Sequence, residues 1–217
     1  ALSQAASRGA TAILYAAIEP PSVSQAAQMA ADAAGIPMSV IPVGENGVVS
    51  LAALEEILAT SGARPFVSVM AANNETGIVQ PVSEIAALVK AATGILHTDA
   101  IQMAGKLPFD MRQAGADMVS LSAHKIGGPQ GVGAFILARD ESVAARQTGG
   151  GQERGRRSGT ENVSGIAGFG AAAEAAAAAL RSGEAMRLSS LRDRLEQQLI
   201  ASGVDVSIFG RAVSRLP

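Results

Sequence analysis

The segment His97–Gln102, which reads His-Thr-Asp-Ala-Ile-Gln, follows directly from a short apolar run that begins at Ile95. A second apolar run begins at Met118 and leads into Ser120–Lys125, which reads Ser-Leu-Ser-Ala-His-Lys. Both runs have the length and composition of short buried strands. Ligands in open α/β sheets bind at the carboxyl ends of the strands. The two segments therefore predict a parallel sheet with a ligand site where these strands end.

Apolar runs alternate with helical patterns along the first two thirds of the chain. This alternation is typical of a mainly parallel sheet covered by helices, and we expect the α/β fold class. A capping box of Ser22 and Gln25 and a stop at Gly35 frame the first helix. Strands are predicted at Ala12–Tyr15, Pro37–Ile41, Phe66–Met70, Ile95–Thr98 and Met118–Leu121, an antiparallel strand at Gly133–Ala138, and helices at Ser50–Thr60 and Pro81–Ala92.

The last third of the chain has a different character. Residues Thr148–Thr160 are rich in glycine and arginine and have no periodicity, which predicts a long and functional loop. A helical pattern runs from Glu161 to about Ser202 with a break near Ser182, and Val204–Ile208 alternates like a strand. We expect one domain over residues 1–180 and the beginning of a second over 181–217.

Composition narrows the class of protein. The 217 residues are 48% hydrophobic and 17% charged, which is enough for a large core. A net charge of −2 gives no electrostatic case for binding nucleic acid or an anionic membrane. With no cysteines, these residues offer no disulfide and no thiolate metal site. We see no signal peptide and no apolar run of membrane-spanning length, and we expect a cytoplasmic protein without a metal.

The polar residues at the two strand ends suit pyridoxal 5'-phosphate (PLP). Its aldehyde takes a lysine as a Schiff base, its ring nitrogen favours a carboxylate, and its phosphate favours neutral and cationic donors. Among the three lysines, Lys90 lies near the end of a helix and Lys106 has no polar cluster around it, so Lys125 is the candidate. A surface lysine in a turn is the alternative interpretation of Lys125.

The partners of that lysine each have a simpler alternative. Asp99 fits the pyridine nitrogen, or it caps a helix. Gln102 fits the phenolic oxygen of PLP, or it lies on a solvated turn. His97 is more typical of the core than of catalysis. The glycines of Gly127–Gly131 and Gly149–Gly151 are weak candidates for phosphate binding, since neither shows a P-loop or G-x-G-x-x-G pattern.

Five motifs in series carry a resemblance to a known family. They are Asn73–Gly77, His97–Gln102, Ser122–Pro129, Gly149–Glu153 and Arg157–Asn162. In their order and spacing the chain closely resembles the cysteine desulfurases, PLP-dependent enzymes of the class V aminotransferase group. The resemblance implies an aspartate-aminotransferase-like large domain followed by the start of a smaller α+β domain. It also implies conversion of L-cysteine to L-alanine, with the sulfur passed to an enzyme persulfide and on to an acceptor protein, for example in iron–sulfur cluster assembly.

The same resemblance implies a role for each site residue. Lys125 would form the Schiff base and then act as general base. Asp99 would bind the pyridinium, Gln102 the phenolic oxygen, and Asn74 the substrate carboxylate or the cofactor. The phosphate would be bound by Ser122 and His124, and by Thr160 of a neighbouring subunit, which implies a homodimer with shared active sites.

Three departures from the family pattern matter. Pro20 stands where the family places a histidine that stacks on the pyridine ring, and proline offers no proton donor or acceptor. The persulfide-forming cysteine and the arginine that binds the substrate carboxylate are expected beyond Pro217, and a phosphate-binding turn before Ala1. We therefore expect a fragment that is inactive by itself. Pro20 keeps two alternatives open: another class V activity, such as a selenocysteine lyase or an aminotransferase, or an inactive paralogue that serves as a binding or dimerisation partner.

Overall fold

The computed structural model describes residues 1–139 and 143–217. A six-stranded sheet lies at the centre of these residues. Its strands stand in the order β2-β1-β3-β4-β5-β6. Neighbours are parallel except for β6, which runs antiparallel to β5. The strands are β1 Ala12–Ala16, β2 Met38–Ile41, β3 Pro65–Ser68, β4 Ile95–Asp99, β5 Met118–Ser122 and β6 Gly133–Leu137. The predicted mainly parallel sheet with one antiparallel strand is confirmed.

Helices cover both faces of this sheet, as expected for parallel strands. On one face, β-strand residues such as Ile13 and Phe66 pack with α1, and on the other face Leu14 and Val67 pack with α2 and α3. The helices are α1 Pro21–Ala34, α2 Leu51–Thr60, α3 Val82–Ala91, α4 Val163–Arg181 and α5 Glu184–Ala201. Short 3₁₀ turns lie at Leu2–Gln4, Ala6–Arg8, Ala123–Ile126 and Gln152–Gly155.

The predicted start of α1 is wrong, although its predicted end is confirmed. The helix begins at Pro21 with Pro20 as its N-cap, and no side chain caps it. The capping box of Ser22 and Gln25 does not form, because both residues already lie inside the helix. The end is at Gly35, whose φ of 62° is the left-handed conformation that glycine adopts without strain.

The predicted strand at Val204–Ile208 is also wrong. Residues 204–208 have no regular structure, and Val204 is 62% exposed. Alternation stabilises a strand only where a neighbouring strand takes its hydrogen bonds. The chain instead pairs further on, where Val79 N donates to Ser214 O at 2.9 Å and Leu216 N to Gly77 O at 2.8 Å. The division of the chain at residue 180 stays a prediction.

Helix α4 has the length and composition that can cross a membrane, with a mean hydropathy of 1.4. The expectation that the chain has no apolar run of this length is therefore wrong, because alanine rather than larger apolar residues supplies the hydropathy. One helix of this kind is weak evidence for a membrane span. Its small residues have a packing role here, since Gly168 lies against Pro129 and Ala172 against Gly128.

Candidate functional site

The ends of three neighbouring strands bring the predicted site residues to one edge of the sheet. Asp99 is in register with Ser120 on β5, and Ala100 N donates to Ser120 O at 3.1 Å. On the other side, Ala71 N donates to Asp99 O at 2.8 Å. The segments that follow β3, β4 and β5 therefore lie side by side, as expected for the carboxyl ends of parallel strands.

Lys125 lies in a tight turn directly after β5. The turn Ala123–Ile126 ends at Gly127, whose φ is 84°, and Gly128 N donates back to Ala123 O at 2.9 Å. Within it, Ser122 Oγ and His124 Nδ1 lie 2.8 Å apart in a hydrogen bond, and the side chains of His124 and Lys125 are exposed. The turn thus presents a hydroxyl, an imidazole and an amine together at the edge of the sheet.

Helix α4 packs against both the Lys125 turn and the turn that follows β4. A Cβ on Gly105 would lie 3.0 Å from Ala176 Cβ and 3.2 Å from Ile126 Cγ2. A Cβ on Gly128 would lie 3.0 Å from Ala123 O and 3.1 Å from Ala172 Cβ. Close packing therefore favours glycine at both positions, and it explains Gly128 without a phosphate-binding role. The consequence for the site is that residues 105–106 and 125–126 are neighbours.

Asp99 is half-buried at the end of β4. Its Oδ1 accepts a hydrogen bond from Ile101 N at 2.9 Å, and among the described residues Oδ2 has no hydrogen-bond partner. The alternative interpretation as a helix cap is wrong, since residues 101–106 form turns rather than a helix. Burial raises the pKa of this carboxyl, while the Ile101 hydrogen bond opposes the rise. A cationic partner at Oδ2 would favour its ionised form.

Gln102 is held by Lys106, which contradicts the expectation that Lys106 lacks polar neighbours. Lys106 Nζ donates to Gln102 Oε1 at 2.8 Å and to Gln102 O at 3.0 Å. Sequence reasoning missed this contact because it depends on how residues 101–106 turn. The spacing of four residues between the two was the available signal.

His97 is a core residue, as expected. It is 3% exposed and lies between two hydroxyls, with Ser68 Oγ 2.9 Å from Nδ1 and Ser120 Oγ 2.9 Å from Nε2. Burial lowers the pKa of this imidazole to about 3. His97 is therefore neutral near pH 7, and it joins β3, β4 and β5 beneath the site rather than facing a ligand.

The two asparagines after β3 have different environments. Asn73 is buried: its Oδ1 accepts from Glu75 N at 3.0 Å and Thr76 N at 2.9 Å, and its Nδ2 donates to Ile18 O at 3.2 Å. Asn74, the predicted binding residue, is exposed and donates to Glu75 Oε1 at 2.6 Å. Asn73 thus builds the turn, and Asn74 is the member that a ligand can reach.

Glu19 is a site residue that sequence reasoning missed. It is 9% exposed, its Oε1 accepts a hydrogen bond from Met70 N, and its Oε2 is buried with no partner among the described residues. Burial, together with the nearby charge of Asp99, raises the pKa of this carboxyl to about 8, and the Met70 hydrogen bond opposes the rise. The available signal was its place beside Pro20, the position where the chain departs from the family pattern.

Thr160 belongs to the loop before α4 and not to the strand ends that carry the other predicted residues. It is exposed, and no described contact joins it to Asp99, Gln102 or Lys125. Its loop is closed by Ser158, whose N donates to Gln147 O at 3.0 Å and whose Oγ donates to Gly150 O at 2.8 Å. Binding by Thr160 to the phosphate of a neighbouring subunit stays a prediction.

Comparison with known proteins decides the family. The family model described as "Aminotransferase class-V" matches residues 1–213. The chain belongs to the class-V aminotransferase family. The resemblance to the cysteine desulfurases is likewise confirmed by its relatives.

This class-V chain is 42% identical over 207 residues to the cysteine desulfurase of Sinorhizobium fredii, covering 95% of the chain and 53% of that protein. It is 50% identical over 155 residues to cysteine desulfurase IscS of an Anaeromyxobacter species, covering 70% of the chain and 38% of that protein. The crystal structure of a NifS-like protein from Rickettsia africae superposes with a TM-score of 0.86 at 35% identity, covering 95% of this chain and 56% of that one. The chain therefore spans about half the length of the curated relatives it matches.

Proposed function

We propose that this protein is a PLP-dependent cysteine desulfurase that converts L-cysteine to L-alanine and passes the sulfur to an enzyme cysteine outside residues 1–217. The observation that carries the proposal is the convergence of Asp99, Gln102 and Lys125 at the ends of β4 and β5. Membership in the class-V family and relatives named cysteine desulfurase support the choice of activity.

The donor set of this site fits PLP. Asp99 Oδ2 is available to accept a pyridinium N–H. The amide nitrogen of Gln102 has no hydrogen-bond acceptor among the described residues and is available to donate to a phenolic oxygen. Ser122 and His124 can donate to a phosphate, and Lys125 is exposed beside them. When bound, PLP supplies an electron sink that stabilises negative charge at the substrate carbon next to the amine.

The residues of this chain would bind the cofactor, contact the substrate and move the proton. Asp99 would hold the pyridinium end through a charge-assisted hydrogen bond, which is the strong kind. Lys125 would attach the cofactor and then carry the substrate α-proton on Nζ. Asn74, exposed at the rim, would contact the substrate carboxylate or the cofactor. His97, neutral and buried, would keep β3, β4 and β5 in place.

Pro20 supports a second candidate for the function of this protein. As the N-cap of α1, with φ −69° and ψ 162°, it is half-buried and directly follows Glu19. A proline there can cover an aromatic ring but cannot exchange a proton. Another class V activity, such as a selenocysteine lyase or aminotransferase, is therefore the second candidate. An inactive binding or dimerisation paralogue is the third, and the intact set of Lys125, Asp99 and Gln102 argues against it.

We also propose a cytoplasmic homodimer with shared active sites that delivers sulfur to an acceptor protein, without nucleic acid or membrane. The support for sharing is the exposure of Thr160, which has no described contact with Asp99, Gln102 or Lys125.

The deciding experiment is a visible absorption spectrum of the full-length protein with PLP, before and after L-cysteine. A yellow band that changes with cysteine and is absent in Lys125→Ala supports the proposal. Lys90→Ala, which removes an exposed lysine on α3, is the matched control and should keep the band. No band in the unmodified protein would support the binding-partner alternative. A band without alanine production, followed by alanine production in Pro20→His, would identify Pro20 as the defect.

A further inference from the structure

Lys106 is a charged residue beside the site to which the proposed mechanism gives no role. It belongs to the turn that follows β4, and its side chain is half-buried. Its ammonium donates to both oxygens of Gln102, at 2.8 Å to the side-chain Oε1 and at 3.0 Å to the main-chain O. Two hydrogen bonds to one residue four positions earlier fold the lysine back over the glutamine.

Close packing of the neighbouring residue Gly105 fixes the position of the backbone that carries Lys106. Gly105 lies between Ala176 of α4 and Ile126, so the backbone that carries Lys106 is held against the Lys125 turn. Burial lowers the pKa of Lys106, and the positive charge of Lys125 lowers it further. The chain segments that carry Lys106 and Lys125 therefore lie side by side, and Gln102 is bonded to the ammonium of Lys106.

An ammonium group can only donate hydrogen bonds, whereas a glutamine amide has one end that accepts and one that donates. With a water or hydroxyl as its partner, the amide of Gln102 would be free to turn either end toward the ligand. With Lys106 as its partner, only Oε1 can face the lysine. The donor end, Nε2, is left for the ligand side.

We propose that Lys106 is a positioning residue that fixes the amide of Gln102 as a hydrogen-bond donor toward the phenolic oxygen of PLP. The inference rests on the proposed function, because it takes PLP as the ligand. It assigns to Lys106 an effect on cofactor affinity that acts through Gln102 rather than through its charge alone.

The test is a double-mutant cycle on PLP affinity in the full-length protein freed of cofactor. Lys106→Met, Gln102→Leu and the double variant are compared with the unmodified protein by titration with PLP. If Lys106 acts through Gln102, each single substitution weakens binding by about 2- to 12-fold, the effect of one hydrogen bond. The double variant then binds within about twofold of Gln102→Leu, because coupled residues are not additive.

Matched variants separate this role from a structural or purely electrostatic one. Lys90→Met makes the same change on the exposed face of α3 and should leave PLP affinity unchanged. Lys106→Arg keeps a cationic donor and should bind PLP within about threefold of the unmodified protein, an order-of-magnitude estimate from one retained hydrogen bond. If Lys106→Met folds poorly, Lys106→Gln replaces it in the cycle, because a glutamine amide can accept as well as donate and leaves the amide of Gln102 free to turn.

Three outcomes would overturn the inference. Lys106→Met could bind PLP as tightly as the unmodified protein. The two single effects could instead multiply in the double variant, which would show that the lysine attracts the cofactor through its charge, independently of Gln102. An unmodified protein that binds no PLP would overturn both this inference and the proposed function, and the first two outcomes leave the proposed function intact.

Discussion

Replacing Glu19 by glutamine should stabilise the cofactor-free protein at neutral and alkaline pH. The Glu19 carboxyl is buried, its Oε1 accepts from Met70 N, and its Oε2 has no partner among the described residues. An ionised carboxylate in such a place is costly, so the folded protein keeps a proton there that the unfolded chain releases. Glutamine retains an acceptor for Met70 N and cannot ionise.

The magnitude follows from the pKa. Burial raises the pKa of Glu19 from its ordinary 4.5 to about 8. Because the folded-state pKa is the higher one, the stabilising effect of the protonated form is complete below pH 4.5 and is lost as the pH rises to 8. At about 1.4 kcal/mol per pKa unit, the loss in free energy of unfolding approaches about 3 kcal/mol at pH 7 and about 5 kcal/mol above pH 8.

The assay is denaturant unfolding of the full-length cofactor-free protein at several pH values from 4.5 to 8.5. Glu19→Gln should be close to the unmodified protein in stability at pH 4.5 and more stable by several kcal/mol at pH 8. Glu56→Gln, on the exposed face of α2, is the matched control and should show no such trend. A difference between Glu19→Gln and the unmodified protein that stays constant across this range would refute the reasoning.

Two further predictions concern residues beneath and beside the site. Because burial lowers the pKa of His97 from 6.5 to about 3, its contribution to stability is present above pH 6.5 and lost on acidification toward pH 3. The unfolding free energy should therefore fall by up to about 5 kcal/mol over this range, and a His97→Gln variant with the same acid sensitivity would contradict this. Gly128→Ala should cost about 1–3 kcal/mol in thermal unfolding and weaken PLP binding, because the new methyl meets Ala123 and Ala172. Gly151→Ala, where a Cβ meets no described residue within 4 Å, is its control, and equal effects of the two would show that packing is not the cause.

Much of the fold was predictable because it depends on local patterns. Each predicted strand of the sheet is present, and Gly35 ends α1, since apolar runs and left-handed glycines act over a few residues. The predicted capping box of Ser22 and Gln25 is wrong because two consecutive prolines, Pro20 and Pro21, start α1 earlier. The predicted strand at Val204–Ile208 is wrong because a strand needs a neighbouring strand to take its hydrogen bonds, and local alternation does not indicate whether one is present.

The site was predictable where its residues follow strands and not where they meet across the sheet. Lys125 and Asp99 were identified from their places after apolar runs. Glu19 was missed because its burial depends on Met70, which is 51 residues away in the chain. Lys106 was dismissed because its contact with Gln102 needs the turn that the strand end and α4 impose together.

The direction of β6 determines the path by which the chain reaches α4. Since β6 runs opposite to β5, the chain leaves the sheet at the edge away from the Lys125 turn. Helix α4 nevertheless packs on that turn, through Gly168 and Ala172. The connection from β6 to α4 must therefore return along the length of β6, whose five residues span about 17 Å. At about 3.3 Å per extended residue, at least five residues between β6 and α4 therefore serve to return the chain to the Lys125 end of the sheet, whatever else the glycines and arginines of Thr148–Thr160 contact.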